Sequence, residues 1–452
     1  MADVARKTAL LILNTLDKNH KTLNSVMEDV LSKTIQLTRK DRTLLYALVY
    51  GVLRWRGRLD WIIEHFSKIG LDRIDLTVLN ILRLGLFQIV YLNRIPVSAA
   101  VNTAVEMAKS AVAPWVVRYV NGLLRSAARE YQHLPYPDIE KDPVSALAVK
   151  KSFPQWLLKR WLDRFGLEET VRLCDAVNTI PPITVRTNTL KTTRTILMES
   201  LDGVAEKIAP THCAPDGVSF INPATSIPEM ESFRNGFFQV QDEAAQLITL
   251  LLNPQPAETV LDACAGLGGK TGHIAQMMKN HGKLVALDNN EQKLLLLASE
   301  MSRLGISIVV PRIYDLNEPL NPKSFGTFDR ILLDAPCSGL GVLRRNPDAK
   351  WKLSKQNLAQ YHKKQICFLD NMANLLKPSG VMVYAVCSTE PEENEAVIKV
   401  FLNKHKEFVI ENNSAGLAPE TCLLVDKSGY LITYPHLNNM DGFFAACLRR
   451  IK

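Results

Sequence analysis

Two cysteines carry the first chemistry this sequence suggests. Residues 334–338 read DAPCS and residues 386–388 read VCS, each just past an apolar run, ILL (331–333) and VMVYA (381–385). A single buried cysteine is ordinary core filler. Two of them at the ends of two similar strands point elsewhere, because open parallel sheets bind ligands beyond the carboxyl ends of their strands. If the two strands are neighbours, roughly 4.8 Å apart, Cys337 and Cys387 face one crevice. A thiolate added to C6 of a pyrimidine turns C5, otherwise a poor nucleophile, into an enamine-like carbon able to attack the methyl of a sulfonium donor. The C5 proton and the thiol must then leave, and a second acid/base group serves that step. A free thiol is only a few per cent ionised at neutral pH, so Lys270 or a helix N-terminus after Ser388 is expected to favour the anion. Asp334 stands where it could bond the ring edge or amino group of a cytosine.

A glycine loop precedes both cysteines: LDACAGLGGKTGHIA, residues 261–275. A strand, a glycine turn and a helix bring backbone N–H groups close to a ligand. A Walker A loop needs a glycine five residues before Gly269, and Cys264 is there. A dinucleotide fingerprint fails as well, since Gly272 comes one place too late after Gly266 and Gly268. S-adenosylmethionine is the third candidate, with Asp288 ending the next strand about twenty residues on, where a carboxylate can accept ribose hydroxyls. An ordinary tight turn with a solvated aspartate is the alternative. Asp315, in PRIYDLNE, is a weaker donor contact because no glycine precedes the acid.

The elements that must position these residues can be outlined from periodicity. From about residue 236, TVLDAC (259–264), KLVALD (283–288), ISIVV (306–310), FDRILLDA (328–335) and GVMVYAV (380–386) alternate with helical stretches. That alternation predicts a doubly wound, mainly parallel α/β sheet of Rossmann-like type. Residues 1–130 read as nearly all helix, with apolar residues at three- and four-residue intervals in DRTLLYALVYGVLR (41–54) and DLTVLNILRLGLFQIVYL (75–92). The proline-rich stretch 131–143 reads as a linker. Between these regions, WLLKRWLDRFG (156–166) is helical and PPITVRTNTL (181–190) strand-like, which makes a small α+β module. VQDEAAQ (240–246) leads into the last domain as a helix. The expected organisation is therefore a helical domain over 1–140, a linker and module over 141–235, and the α/β domain over 236–452.

Composition is that of a chain with real cores, 47% hydrophobic and 22% charged, without an apolar stretch of membrane-spanning length or a secretory signal. The eight cysteines lack CxxC pairs and metal-ligand spacing, so reduced thiols in a cytoplasmic protein and no metal are expected. Of the net charge of +8, residues 1–145 hold 20 Lys and Arg against 14 Asp and Glu, a surplus of +6 in the first third. Such an excess suits a polyanion such as RNA. Arg344, Arg345 and Lys350 are expected to hold phosphates on a charged loop, Trp351 either to stack or to pack, and Arg186 with Lys191 to contact RNA from the middle module.

The runs CAGLGGK (264–270), DAPCS with downstream RRNPDAKW (344–351), VCSTEPEEN (386–394) and DGFFAACL (441–448) resemble the RNA (cytosine-5) methyltransferases. In the first third, LVYGVLR (48–54), LRLGLFQ (82–88), RIP (94–96) and AAVNTAVE (99–106) resemble the NusB-like RNA-binding domain. The combination is similar to the bacterial small-subunit (16S) ribosomal RNA methyltransferase B group and covers nearly the whole chain. The resemblance implies transfer of a methyl group from S-adenosylmethionine to C5 of a cytosine in ribosomal RNA, without an obligatory protein partner. It implies Cys387 as nucleophile and Cys337 as the thiol that assists release. It puts the donor against Cys264, Ala265, Gly266, Leu267, Gly268, Gly269, Lys270, Asp288, Asp315 and Asp334. Other readings are methylation of another RNA such as tRNA, and a non-catalytic RNA-binding protein of antitermination type. The chain departs from the family at Gly266-Leu267, where Ala-Pro is usual, and at Val386, where threonine is usual. A looser turn and the loss of a hydroxyl beside the nucleophile are the expected consequences.

Overall fold

The computed structural model describes residues 4–19, 21–33, 37–411 and 417–451. Two compact units form: Met1–Thr179 with Asn346–Leu353, and Ile180–Arg345 with Ser354–Lys452.

The first unit is helical, with long helices at Val4–Lys18, Arg39–Phe66, Leu76–Tyr91, Val97–Ala111, Pro114–Glu130 and Gln155–Asn178. Arg39–Phe66 opens with a reciprocal cap between Thr38 and Asp41 and buries the stripe Leu45, Leu48, Val49, Val52, Leu59, Ile62 and Ile63. Leu76–Tyr91 is buried continuously from Val78 to Gln88, which marks it as the central helix. The two meet closely at Gly51, where an added Cβ would lie 1.9 Å from Cζ of Phe87.

The compact helical unit runs on past the proline-rich stretch, to Thr179. The helix Gln155–Asn178 falls within it, with Leu157, Leu158 and Trp161 buried and Trp161 packed on Phe153, 5.4 Å between ring centroids. The segment Asn346–Leu353 also belongs to it. Asp348 accepts from the Leu23 backbone N–H at 3.1 Å, and Trp351 Nε1 donates to the Leu53 carbonyl at 2.6 Å. Fully buried Lys350 donates to the carbonyls of Arg54 and Ser152 and to Asn178 Oδ1, at 3.1, 3.3 and 2.9 Å.

The second unit holds two sheets. β1 (Ile183–Thr187), β2 (Glu206–Pro210), β3 (Gly217–Ile221) and β4 (Phe238–Val240) form an antiparallel sheet in the order β2-β3-β1-β4. The larger sheet contains β5 (Thr259–Asp262), β6 (Lys283–Asp288), β7 (Val309–Ile313), β8 (Phe328–Asp334), β9 (Leu376–Val386), β10 (Phe408–Ile410), β11 (Tyr430–Ile432) and β12 (Phe444–Arg450). Its order is β10-β12-β9-β8-β5-β6-β7, with β11 beside β12; β9, β8, β5, β6 and β7 run parallel and β12 antiparallel. Successive residues enter opposite cores, Val260 one face and Leu261 the other, so the central strands read as continuous apolar runs.

β7 begins later than the ISIVV run suggests. The helix Glu291–Leu304 ends at left-handed Gly305, the Ile306 N–H returns to the Met301 carbonyl, and Ser307 bonds Asn280. Residues 306 and 307 are occupied in closing the helix, and side-by-side pairing starts at Val309. Pro311 is tolerated there because β7 is an edge strand. No helix among the described residues is long and apolar enough to cross a membrane.

Candidate active site

β5 runs into the loop 263–268, and the helix Gly269–Met277 starts immediately after it. The loop is a closed turn: the Gly268 N–H donates to the Ala265 carbonyl at 2.9 Å, and Ala265 N–H to the Leu287 carbonyl at 2.8 Å. Gly266 (φ 55°) and Gly268 (φ 86°) both adopt left-handed backbone, where a side chain would be strained. Glycine at 266 thus suits the turn as built, and Leu267 projects outward, 58% exposed.

Asp288, at the end of β6, reaches back with Oδ2 to the Gly266 N–H at 3.1 Å, while Oδ1 accepts from Asn290 N–H at 2.9 Å. Asp288 therefore also holds the glycine loop in place. It lines a cleft with Ala263, Cys264, Lys293, Asp315, Pro336 and Phe368. Asn289, Tyr314 and Lys364 line it as well. Carboxylates at Asp288 and Asp315, with the rings of Tyr314 and Phe368, give it acceptors for hydroxyls and apolar walls for a flat ring system. Sequence reasoning misses the aromatic and lysine members. Phe368 and Lys364 come from the helix Lys355–Ala373, whose apolar pattern signals only core packing. Burial, with the charges of Asp334, Asp262 and Asp288, pushes the Cys264 thiol well up, so it stays neutral.

On the other side of the loop, Lys270 Nζ donates to Asp334 Oδ2 at 2.6 Å and lies 5.2 Å from the Phe443 ring centroid. Burial disfavours its charge, but the charge and hydrogen bond of Asp334 outweigh this and raise its pKa, and the charge of Cys387 adds to the effect.

β8 and β9 are parallel neighbours, with Asp334 opposite Ala385. The cysteine just beyond each strand therefore arrives at the same place: Sγ of Cys337 and Sγ of Cys387 are 3.2 Å apart. The hydrogen bond to Cys387 raises the Cys337 pKa most, followed by burial, the charge of Cys387 and the charge of Glu393. No helix follows Ser388 directly; the next begins at Glu395, so the nearby cation is Lys270.

Several basic residues expected at RNA turn inward. Arg344 and Arg345 pair with Asp441 and Asp242 in a four-membered network, with Arg344 only 3% exposed. Lys350 is buried in the helical unit, where burial lowers its pKa well below the ordinary lysine value. Trp351 is packed, its indole N–H held by the Leu53 carbonyl. Arg186 is 1% exposed and bonds Gln239, Gln241, Gln276 and the Gly269 carbonyl, so it braces the start of the helix after the glycine loop. Lys191 is tied to the carbonyls of Asn235 and Arg303. In each case a carboxylate, amide or carbonyl distant in sequence satisfies a cation that the linear pattern left without a partner.

Free cations lie elsewhere, on the helix Pro114–Glu130. Arg118, Arg125 and Arg129 are exposed on one face with Gly122, and among the described residues their side chains make no hydrogen bond or ion pair. Trp115, 66% exposed, begins the same face. Among the described residues, no group of three or more His, Cys, Asp or Glu side chains is gathered to hold a metal.

Residues 249–449 match the family described as 16S rRNA methyltransferase RsmB/F, residues 3–129 the NusB family, and residues 153–226 the ferredoxin-like domain of RsmF/B-like methyltransferases. The chain is 35% identical over 98% of its length to the probable ribosomal RNA small subunit methyltransferase B of Bacillus subtilis, 98% of which is covered. It is 36% identical over 99% of its length to the protein of the same description from Synechocystis, covering 99% of that chain. The crystal structure of PH0851 superposes with a TM-score of 0.82 at 26% identity, covering 100% of both chains.

Proposed function

Since the chain belongs to the 16S rRNA methyltransferase RsmB/F family, we propose that it methylates C5 of a cytosine in 16S ribosomal RNA with S-adenosylmethionine, using Cys387 as nucleophile and Cys337 for release. The observation that carries the catalytic part is the 3.2 Å approach of two thiols at adjacent strand ends. Cys387 Sγ forms the bond to C6 of the base, and the C5 carbon so activated accepts the methyl group. Asp334 has one carboxylate oxygen committed to Lys270, which leaves the other for the base amino group. The cleft chemistry fits the donor: Asp288 and Asp315 would hold its hydroxyls, the loop 264–270 its amino-acid end, and the donor supplies the methyl.

The raised pKa of Cys337 has a mechanistic consequence. Its leading cause is the hydrogen bond to Cys387, and the charge of Cys387 contributes too. Once Cys387 is bonded to C6 it carries no charge and no proton. The charge effect then vanishes and the hydrogen bond weakens to one accepted by a neutral thioether, so Cys337 becomes easier to ionise at the stage when the C5 proton must leave. The Cys337 thiolate takes the C5 proton, the C5–H electron pair re-forms the C5=C6 bond, and the C6–S bond breaks to release Cys387 as a thiolate.

In the helical unit, RNA phosphates would be met by the arginine face of Pro114–Glu130, with Trp115 offered for stacking. We place the protein in the cytoplasm, where ribosomal RNA is. Bisulfite sequencing of 16S RNA from cells with and without the gene tests the assignment. One cytosine should lose its protection when the gene is absent, and an unchanged pattern would refute the substrate.

A further inference from the structure

We infer that Glu393 is a positioning residue that ties the two cysteine loops together and so sets the distance between the reacting thiols. Its side chain is completely buried. Oε1 accepts from the Ser338 N–H at 2.8 Å and from Gln365 Nε2 at 3.1 Å. Oε2 accepts from the hydroxyls of Ser338 and Ser388, each at 2.5 Å. Ser338 directly follows Cys337, and Ser388 directly follows Cys387. One carboxylate thus holds the residue next to each thiol. Gln365 extends the tie, since the same amide also donates to the Pro336 carbonyl at 3.1 Å, on the other side of Cys337.

The energetics argue that the group is retained for a purpose. A buried carboxylate is costly unless its oxygens are satisfied, and burial raises the pKa of this one despite its serine and glutamine donors. Two loops could be packed together without a charge; four convergent donors on one acceptor give a rigid, short-range clamp. Glu393 is itself fixed, its carbonyl accepting from Tyr384 Oη at 2.6 Å and its N–H bonding the Glu390 carbonyl at 3.0 Å. Tyr384 lies in β9, the strand that delivers Cys387, so the clamp is referenced to the sheet.

The inference rests on the roles given to Cys387 and Cys337 above, and its test separates the two. Full-length E393Q and E393A are compared with wild type and C337A for donor affinity by calorimetry, thermal melting, turnover, and the fraction of RNA trapped as a denaturant-resistant protein adduct. E393Q keeps size and one acceptor, and should bind donor and melt near wild type. It should still form the bond to RNA but release it about 100-fold more slowly, the lower end of what a positioned acid–base group contributes, with E393A worse. A glutamate that only stabilised the fold would lower the folded fraction and leave the ratio of trapped adduct to released product unchanged per folded molecule. That unchanged ratio in both variants overturns the inference. Failure of C337A to trap RNA would instead overturn the underlying reading of the thiols.

Discussion

Arg344 Nε donates to Asp441 Oδ1 across 2.6 Å, and each side chain is only 2% exposed. The second oxygen of Asp441 takes Arg345 Nε at 2.8 Å. The pairing pins the stretch between the Cys337 loop and residue 346 to the turn before β12. Removing one member of a buried charge network strands the others, at a typical cost of about 3–5 kcal/mol. D441A should therefore lower the unfolding free energy by that amount, read from denaturant titration, whereas a combined R344M/D441L substitution should recover part of it. A loss of well under ~1 kcal/mol in D441A, the level of an exposed pair, would show that the network adds nothing.

The thiols should fail in different ways. C387A should abolish methyl transfer, measured by incorporation of label from the donor into RNA. C337A should form the protein–RNA bond and release it poorly, visible as a retarded band in denaturing gels. Full activity in C387A would mean that the nucleophile is another group.

Asp262, buried at the end of β5, has its pKa pushed up to about 6 by burial, offset in part by the Thr271 hydroxyl. The unfolded chain should ionise this carboxylate near its ordinary 3.8. Between those values the folded state holds more protons, so this group makes stability fall as pH rises from about 4 through 6. D262N keeps an acceptor for Thr271 and cannot ionise. It should lose that slope and gain roughly 2–3 kcal/mol relative to wild type at pH 7, as read by denaturant unfolding across pH. A variant with the wild-type slope would assign the pH dependence to other groups.

The arginine face of Pro114–Glu130 should act on RNA affinity and leave the chemistry alone. Each RNA phosphate that goes without its arginine makes the slope of log affinity against log salt shallower by about 0.7–0.9. The R118A/R125A/R129A protein should therefore show a slope shallower by about 2, with turnover at saturating RNA unchanged. Equal slopes for both proteins would place the phosphate-binding groups elsewhere.

The sheet and glycine loop were legible because their signals are local. Short β-branched runs ending in DAC, LD, LDA and AVC read as strands, and neighbouring strands carry Cys337 and Cys387 to one spot. The start of β7 was displaced because Ile306 and Ser307 serve the preceding helix. The fate of the charges was not local. Nothing near Arg344 in sequence announces Asp441, 97 residues on, and Lys350 finds its acceptors at Arg54, Ser152 and Asn178. Glu393 was hidden in PEEN, where adjacent carboxylates look alike until burial separates them.

The helical unit draws on Asn346–Leu353, a piece of chain made long after its own first 179 residues. During synthesis those helices emerge from the ribosome without the lysine and tryptophan that later occupy their acceptors at Leu53 and Arg54. These helices therefore reach their final packing only after residues 346–353 have been translated, so their maturation waits on the sequence that follows the Cys337 loop.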